Sequence, residues 1–224
     1  MEQTQEDDQL SNLPTITDCS AFPVVLYKAH YLFKDSLLRV LSTRHHFQAR
    51  PTDILLASPP KSGTTWLKAL AFSSLYQTPL PDLSDLRHPL RVSNPHDIVP
   101  FIEIESNLGA LGHNLLFVKY EDMIADPIGE LKRVAGFMGC PFTEEEEERG
   151  GVAEGIVKLC GFESLSNLEV NREGVLETMF EDFENKFYFR RGGVGGWRSL
   201  LSLEMGRRLD EIMTSKFAGT GLSV

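Results

Sequence analysis

The sequence predicts an α/β fold, a three-layer arrangement in which helices flank a parallel sheet. The chain has 224 residues, of which 42% are hydrophobic, and this suits one domain with a sizeable core. Two short apolar runs, residues 54–57 and 114–118, have the composition of buried parallel strands. Apolar residues with helical spacing follow each run, as expected where strands and helices alternate.

The first apolar run leads through a short loop into a helix. Pro59 and Pro60 end the predicted strand at 54–57, because they lack the N–H groups that a ladder needs. The spacing of apolar residues then becomes that of one helix face, which predicts a helix to about Tyr76. That face comprises Leu67, Leu70, Ala71, Ser74 and Leu75.

The loop at residues 61–65 has the features of an anion-binding site. A helix start offers unpaired N–H groups and the positive end of the helix dipole. Gly63 permits close approach of the backbone, and Lys61 adds a full positive charge. The number of converging donors disfavours the alternative, a helix cap beside an incidental lysine. Further hydroxyl donors are Ser62, Thr64 and Thr65.

Residues 53–70 resemble the 5′-phosphosulfate loop of soluble sulfotransferases, in particular those of the plant cytosolic branch. This resemblance implies transfer of a sulfuryl group from 3′-phosphoadenosine 5′-phosphosulfate (PAPS) to a hydroxyl of a small acceptor, in plant secondary metabolism. It also implies that Lys61 is catalytic, because it would neutralise the charge that builds on the sulfuryl oxygens. The implied contacts to the 5′ end of the nucleotide are Lys61, Ser62, Gly63, Thr64, Thr65 and Trp66.

Two later segments resemble the adenosine-binding parts of the same family. Residues 114–122 are similar to the strand whose tyrosine contacts adenosine, which implies this role for Tyr120. Residues 159–162 correspond to a stretch that packs on the adenine. Gly161 replaces the usual hydroxyl-bearing residue there, so Phe162 is left as the implied stacking partner.

A third segment, residues 187–198, resembles the loop Arg-Lys-Gly-x-x-Gly-Asp-Trp-Lys that holds the 3′-phosphate of PAPS. The resemblance implies that Arg190, Arg191 and Gly192 bind this phosphate, with Arg191 keeping the charge of the usual lysine. Gly196 stands where aspartate is usual, and this departure is expected to loosen the loop.

A large internal segment of the family is missing. We expect a disordered acidic tail at residues 1–14, then a single domain at 15–224 with an internal deletion near 105–113. The absent segment should carry the catalytic histidine in a Thr-His-x-Pro motif, and a Cys-Arg-Asp-Pro motif that binds the 3′-phosphate. Neither motif occurs in the sequence. His113 lies at the junction, but its surroundings match neither motif.

The proline-rich segment 78–100 predicts a surface excursion without regular helix. Its part at 88–97 resembles the acceptor-side loop of the plant enzymes. Two interpretations of His96 therefore stay open, one in which it faces the substrate and one in which it stabilises the loop. Residues 22–41 predict a loop and short helix that cover the pocket mouth or contribute to the core.

Capping signals and apolar spacing predict three further helical segments. One runs over 128–138 and is stopped by Gly139 and Pro141. The next begins at a capping box formed by Thr143 and Glu146. The last is an amphipathic helix over 202–217 that closes the domain.

The composition bounds the partners. A net charge of −10 and a pI near 5.1 argue against nucleic acid or an anionic membrane as a partner. The three cysteines are widely spaced, which predicts reduced thiols, a cytoplasmic protein and no metal ion. The absence of a leader or a long apolar run points to the same address. The acceptor and the oligomeric state are not defined by the sequence.

Three functions compete on this sequence. The first is an active PAPS-dependent sulfotransferase, and the second is a truncated, catalytically impaired member that only binds the nucleotide. The third, a nucleoside-triphosphate kinase, is disfavoured because Pro60 stands where its loop has a glycine. Because no histidine has the family's catalytic context, we expect binding of the nucleotide with poor turnover.

Overall fold

The structure is a computed structural model, and the segments that it describes are 13–16, 23–27, 30–34, 36–38, 40–41, 50, 52–59, 61–76, 88–99, 101, 116–176 and 183–219. Most of the predicted acidic tail and the junction near 105–113 lie outside these residues. So do His45, His46 and His113.

The described chain is mainly helical. Its helices include α1 (Thr64–Leu75), α2 (Pro95–Ile98), α3 (Tyr120–Ala125), α4 (Pro127–Phe137), α5 (Glu144–Gly150), α6 (Val152–Leu159), α7 (Phe162–Ser166), α8 (Glu169–Arg172) and α9 (Leu203–Phe217). Short 3₁₀ turns occupy Pro89–Arg91, Asn185–Tyr188 and Gly196–Ser199. Among the helices described, none has the length and apolar character needed to cross a bilayer.

The strands that the structure describes form two small antiparallel sheets. The first joins β1 (Thr15–Ile16), β2 (Val24–Tyr27) and β3 (His30–Phe33) in that order. The second pairs β4 (Val175–Leu176) with β5 (Phe183–Glu184). The hairpin β2–β3 corrects the prediction of a loop at 22–33, and its buried face joins the nearby helical residues in a small core. That core comprises Val25, Leu37 and Leu41.

The predicted strand at 54–57 is not formed, and this prediction was wrong. Residues 53–59 are irregular, and Ile54 and Leu55 are 40% and 37% exposed rather than buried. The second predicted strand is also absent over 116–119, and Tyr120 begins a helix instead of ending a strand. A strand needs hydrogen-bonded neighbours, and the described chain supplies none for either segment. The predicted parallel sheet is therefore incomplete in the part of the chain that the structure describes, as the sequence predicts.

Helix α1 lies at the centre of the main core. The prediction of this helix is confirmed, and it packs against α2, α4 and α6. Leu70, Ala71 and Ser74 of the predicted face are buried, whereas Leu75 at the end of the helix is 56% exposed. The buried residues of this core are Ala69, Leu70, Leu90, Met123, Leu131, Val152, Ala153, Ile156, Cys160 and Leu165.

The prediction of helix α4 is confirmed. So are the predicted capping-box start at Thr143, which begins α5, and the predicted helix over 202–217, which is α9. Thr143 Oγ1 accepts from the Glu146 N–H at 3.3 Å, and a Glu146 carboxylate oxygen accepts from the Thr143 N–H at 2.7 Å. Hydrogen bonds to the Glu146 carboxylate, first from the Thr143 N–H and then from the Thr143 hydroxyl, lower the pKa of Glu146. Gly151, at a φ of 53°, ends α5 and starts α6, so the predicted single helix is divided. Ser202 caps α9 by accepting from the Met205 N–H at 3.2 Å.

The prediction of a surface excursion is wrong for residues 88–99, while residues 77–87 lie outside the described chain. Leu90, Asn94 and His96 are at most 2% exposed. Pro89 and Pro95 do not break structure here, because each begins a short helix, where a missing N–H costs no hydrogen bond.

Three buried asparagines join the short helix α8 to the segments beside the start of α1. Asn94 Nδ2 donates to Asn171 Oδ1 at 2.9 Å, and Asn171 Nδ2 donates to the Leu165 carbonyl at 2.9 Å. Asn185 Nδ2 donates to the Val170 carbonyl at 2.9 Å. Helix α8 therefore holds both α2 and the turn Asn185–Tyr188.

We predict that Asn171→Ala destabilises the protein strongly. The change leaves Asn94 Nδ2 buried without its partner, at a cost of about 1–3 kcal/mol, while the Leu165 carbonyl keeps the Leu168 N–H at 3.2 Å. Urea unfolding followed by circular dichroism measures this loss.

Asn167→Ala is the matched control, because Asn167 also donates to a backbone carbonyl, that of Glu163 at 2.8 Å, but is exposed. Its cost should stay within about 0.5 kcal/mol. Equal losses for the two variants would contradict a special role of the buried asparagines.

Candidate anion-binding site

The start of α1 is shaped by two residues in the left-handed backbone region. Gly63 is the N-cap with a φ of 94°, and Lys61 has a φ of 64°, the one positive value for a non-glycine residue in the described chain. A lysine held there costs on the order of 1–3 kcal/mol, and such strain clusters at functional sites. The N-cap has no side-chain hydrogen bond, and the first turn has no acidic residue. The N-terminal N–H groups can therefore receive an anion.

Two of the predicted hydroxyl donors stabilise the loop itself. Ser62 Oγ donates to the Pro59 carbonyl at 2.6 Å, and Thr64 Oγ1 is hydrogen-bonded to Ser58 Oγ. The Ser62 hydroxyl has one proton, so in this conformation it shapes the loop instead of donating to an anion.

Lys61 connects the loop to the turn Asn185–Tyr188. Its ammonium Nζ donates to the Phe187 carbonyl at 2.7 Å and lies 6.0 Å from the centre of the Tyr188 ring. An ammonium has three N–H donors, so this bond orients Lys61 and leaves donors for an anion.

Tyr120 lies against the loop, and it comes from a helix and not from the strand that the sequence predicts. A β-carbon at Gly63 would lie 2.6 Å from Tyr120 Cδ2, so only glycine fits beneath this ring. Trp66 meets Tyr120 edge to face, with ring centres 5.8 Å apart. Burial, and then the charge of Glu121, raise the pKa of the Tyr120 hydroxyl.

Phe162 and Gly192 form a second contact. Gly192 has a φ of 63°, and a β-carbon there would lie 2.4 Å from Phe162 Cγ. The Phe162 ring remains 37% exposed and meets Phe189 edge to face at 6.3 Å. The structure thus brings together two predicted residues that are 30 positions apart.

The basic pair follows directly on the turn that Lys61 contacts. Arg190 and Arg191 are both exposed. Arg191 Nη1 donates to Ser199 Oγ at 3.4 Å. Both guanidinium groups are therefore accessible to an anion.

His96 and Lys68 are buried beside the loop, and the sequence left their roles open or missed them. The His96 ring is 2% exposed, and its Nε2 lies 3.0 Å from Thr65 Oγ1. It stacks on Phe101 at 4.7 Å and packs on Tyr188 at 4.1 Å, measured between ring centres. Burial, then the charges of Lys68 and Lys61, lower the pKa of His96 to about 3.

Lys68 lies one helical turn beyond the loop and is 3% exposed, with Nζ 3.5 Å from the centre of the Phe101 ring. The helical pattern places Lys68 outside the apolar face, so no local signal predicts its burial. Its burial depends on the contact with Phe101, which is 33 positions further along the chain.

These features define a helix start that is open to an anion, with Lys61 at its edge and the aromatic rings of Tyr120 and Trp66 beside it. A family model of the sulfotransferase domain matches residues 51–110 and 109–221. The chain therefore belongs to the sulfotransferase family.

Relatives and solved structures agree with this assignment. Cytosolic sulfotransferase 8 of Arabidopsis thaliana is 30% identical over 310 aligned positions, covering 96% of this chain and 92% of the relative. Because this chain has only 224 residues, the 310 aligned positions include many of the relative that have no counterpart here.

The fold is similar to two solved structures. A putative steroid sulphotransferase of Arabidopsis thaliana has a TM-score of 0.68 at 23% identity, covering 100% of this chain and 96% of the other. A retinol dehydratase in complex with retinol and PAP has a TM-score of 0.55 at 15% identity, covering 98% and 96%. Both support the predicted α/β class.

We predict that His96 makes stability depend on pH. Its pKa is about 3 in the folded protein against an ordinary 6.5, so the unfolded chain binds the proton first. The contribution of the neutral ring is complete above pH 6.5 and is lost as the pH falls towards about 3, by up to about 1.4 kcal/mol per pH unit.

Urea unfolding of the wild type and of His96→Gln between pH 7 and 4 tests this dependence. The difference in unfolding free energy should shrink as the pH falls, because all other titrating groups cancel in the comparison. A constant difference would mean that His96 titrates normally.

Proposed function

We propose that this protein is a cytosolic sulfotransferase that uses PAPS as donor and the hydroxyl of a small molecule as acceptor. The observation that carries the proposal is the uncapped start of α1, with Lys61 on one side and Tyr120 on the other. Family membership supports PAPS as the donor. PAP (adenosine 3′,5′-bisphosphate), the product nucleotide, is the ligand of the similar retinol dehydratase structure.

The residues fit a nucleotide with two separate phosphate groups. The start of α1 would hold the 5′ end, Tyr120 and Phe162 the adenosine, and the exposed arginines the 3′-phosphate. Bound PAPS supplies the sulfuryl group to be transferred. The residues proposed to bind it are Lys61, Ser62, Gly63, Thr64, Thr65, Trp66, Tyr120, Phe162, Arg190, Arg191 and Gly192.

Lys61 is the residue that we propose to be catalytic. Its ammonium is oriented by the Phe187 carbonyl and stands at the positive end of the α1 dipole. Two positive features at one point stabilise negative charge that develops on oxygens during transfer. They also hold an anion locally against a net charge of −10.

We further propose that the missing internal segment belongs near residues 105–113, within one domain at 15–224 that follows an acidic tail. The family model matches in two parts that meet at residues 109–110, and this supports the position. The segment would have carried the Thr-His-x-Pro and Cys-Arg-Asp-Pro motifs.

No histidine in the sequence stands in the Thr-His-x-Pro context of the family's general base. His96 touches the loop, but a ring with a pKa of about 3 is a weak base. The proposed function thus divides into nucleotide binding, which the loop supports, and transfer, which should be slow.

We predict that the protein binds PAP more tightly than ATP, and that Lys61→Ala weakens PAP binding by about ten- to hundred-fold. The reason is the loss of a charge-assisted contact worth about 1.5–3 kcal/mol. Isothermal calorimetry with both nucleotides gives the dissociation constants.

Lys216→Ala is the matched control, because it makes the same change of charge on the exposed face of α9. Its affinity for PAP should equal that of the wild type. Equal or tighter ATP binding would favour a nucleoside-triphosphate kinase, and an unaffected Lys61→Ala would make the loop only a structural cap.

We also predict that sulfuryl transfer from labelled PAPS is about 10²–10⁴-fold slower than in Cytosolic sulfotransferase 8, the contribution usual for general-base catalysis. The assay pairs both proteins with a panel of flavonols, hydroxyjasmonate and desulfoglucosinolates. Comparable rates would show that another group has replaced the missing base, and their loss in His96→Ala would identify that group as His96.

A further inference from the structure

The Thr65 hydroxyl differs from the other hydroxyls of the anion-binding loop. Ser62 and Thr64 bond to residues of the loop, whereas Thr65 Oγ1 lies 3.0 Å from Nε2 of His96, which belongs to α2. Thr65 is the second residue of α1, at the turn where an anion would bind. The hydrogen bonding of this hydroxyl therefore depends on a ring from another part of the chain.

The His96 ring is held in a fixed position. The backbone N–H of His96 donates to Asn94 Oδ1 at 2.8 Å, and Asn94 is hydrogen-bonded to Asn171. Phe101 and Tyr188 lie against the ring. A ring fixed by its backbone, its neighbours and one hydrogen bond defines the geometry of its partner hydroxyl.

The second ring nitrogen identifies the direction of this hydrogen bond. His96 Nδ1 is buried and has no hydrogen-bond partner among the described residues. A buried N–H without an acceptor is rarer in proteins than a buried acceptor without a donor, which favours a lone pair on the unpaired Nδ1. The proton of the neutral ring then sits on Nε2, which donates to Thr65 Oγ1.

We propose that His96 is a positioning residue that donates to Thr65 Oγ1 and so leaves the Thr65 proton free to donate to the 5′-side anion of the bound nucleotide. This inference rests on the proposed function. A threonine oxygen that accepts one hydrogen bond still has its own proton, whereas a threonine that donated to His96 would present only lone pairs to an anion. The role extends the site to α2.

The experiment replaces His96 in the full chain and measures the dissociation constant for PAP by calorimetry and the melting temperature. His96→Gln keeps an N–H donor at the position of Nε2, and His96→Phe keeps the ring without the donor. We expect His96→Phe to weaken binding by about two- to ten-fold, the range of one neutral hydrogen bond. His96→Gln should stay within about two-fold of the wild type.

Each substitution is repeated in a Thr65→Val background, which removes the hydroxyl but keeps the shape. If His96 acts through Thr65, its replacement has no further effect on affinity there. Equal and additive losses for His96→Phe and His96→Gln would reduce His96 to core packing and overturn the inference. So would wild-type affinity in His96→Phe.

Failure of the proposed function and failure of this inference give different results. Failure of the unsubstituted chain to bind PAP overturns the proposed function, and it is seen before any variant is made. If His96→Phe does not fold, His96→Met, which also lacks the donor, is compared with His96→Gln in both backgrounds. A loss with methionine but not with glutamine supports the inference, and equal affinities overturn it.

Discussion

The left-handed backbone at Lys61 and Gly63 is the constraint on which the site depends. Two positive φ values within three residues turn the chain sharply, so that α1 begins without a side-chain cap. The same turn brings the Tyr120 ring onto Gly63, where a β-carbon would clash. It also carries the Lys61 ammonium to the Phe187 carbonyl. The strain of a non-glycine residue at Lys61 is thus offset by contacts to two distant segments.

Those distant segments share one support, the four-residue helix α8. Through Asn171 it holds the N-cap of α2, and through the Val170 carbonyl it holds Asn185 at the start of the next turn. His96 and Phe187 stand on these two supports, and each contacts the loop. Burial makes the hydrogen bonds of these asparagine side chains costly to break, because the polar groups left without a partner cannot bond to water instead. The geometry of the loop is therefore set partly by residues that touch no anion.

Features that depend on neighbouring residues could be predicted from the sequence, and those that depend on distant ones could not. The helical spacing predicts α1, and the box of Thr143 and Glu146 predicts the start of α5, because periodicity and caps act within one or two turns. The apolar run at 54–57 failed as a strand, since a strand exists only with partners. The burial of His96 and Lys68 arises from Phe101, and no local pattern records that contact.

The same distinction separates binding from transfer. The start of α1 is encoded by neighbouring residues, so it forms although this chain has 224 residues against 310 positions aligned with its relative. We propose that the Thr-His-x-Pro and Cys-Arg-Asp-Pro motifs are lost with an internal segment. The general base and part of the 3′-phosphate site would then be lost with them, because local sequence cannot replace distant partners. Ile54 and Leu55 have apolar side chains suited to a sheet interior, yet they are 40% and 37% exposed, as expected where the described chain supplies no neighbouring strands. On that proposal, the helix start that attracts an anion is retained, and the chemistry that relies on distant partners is what shortening would remove.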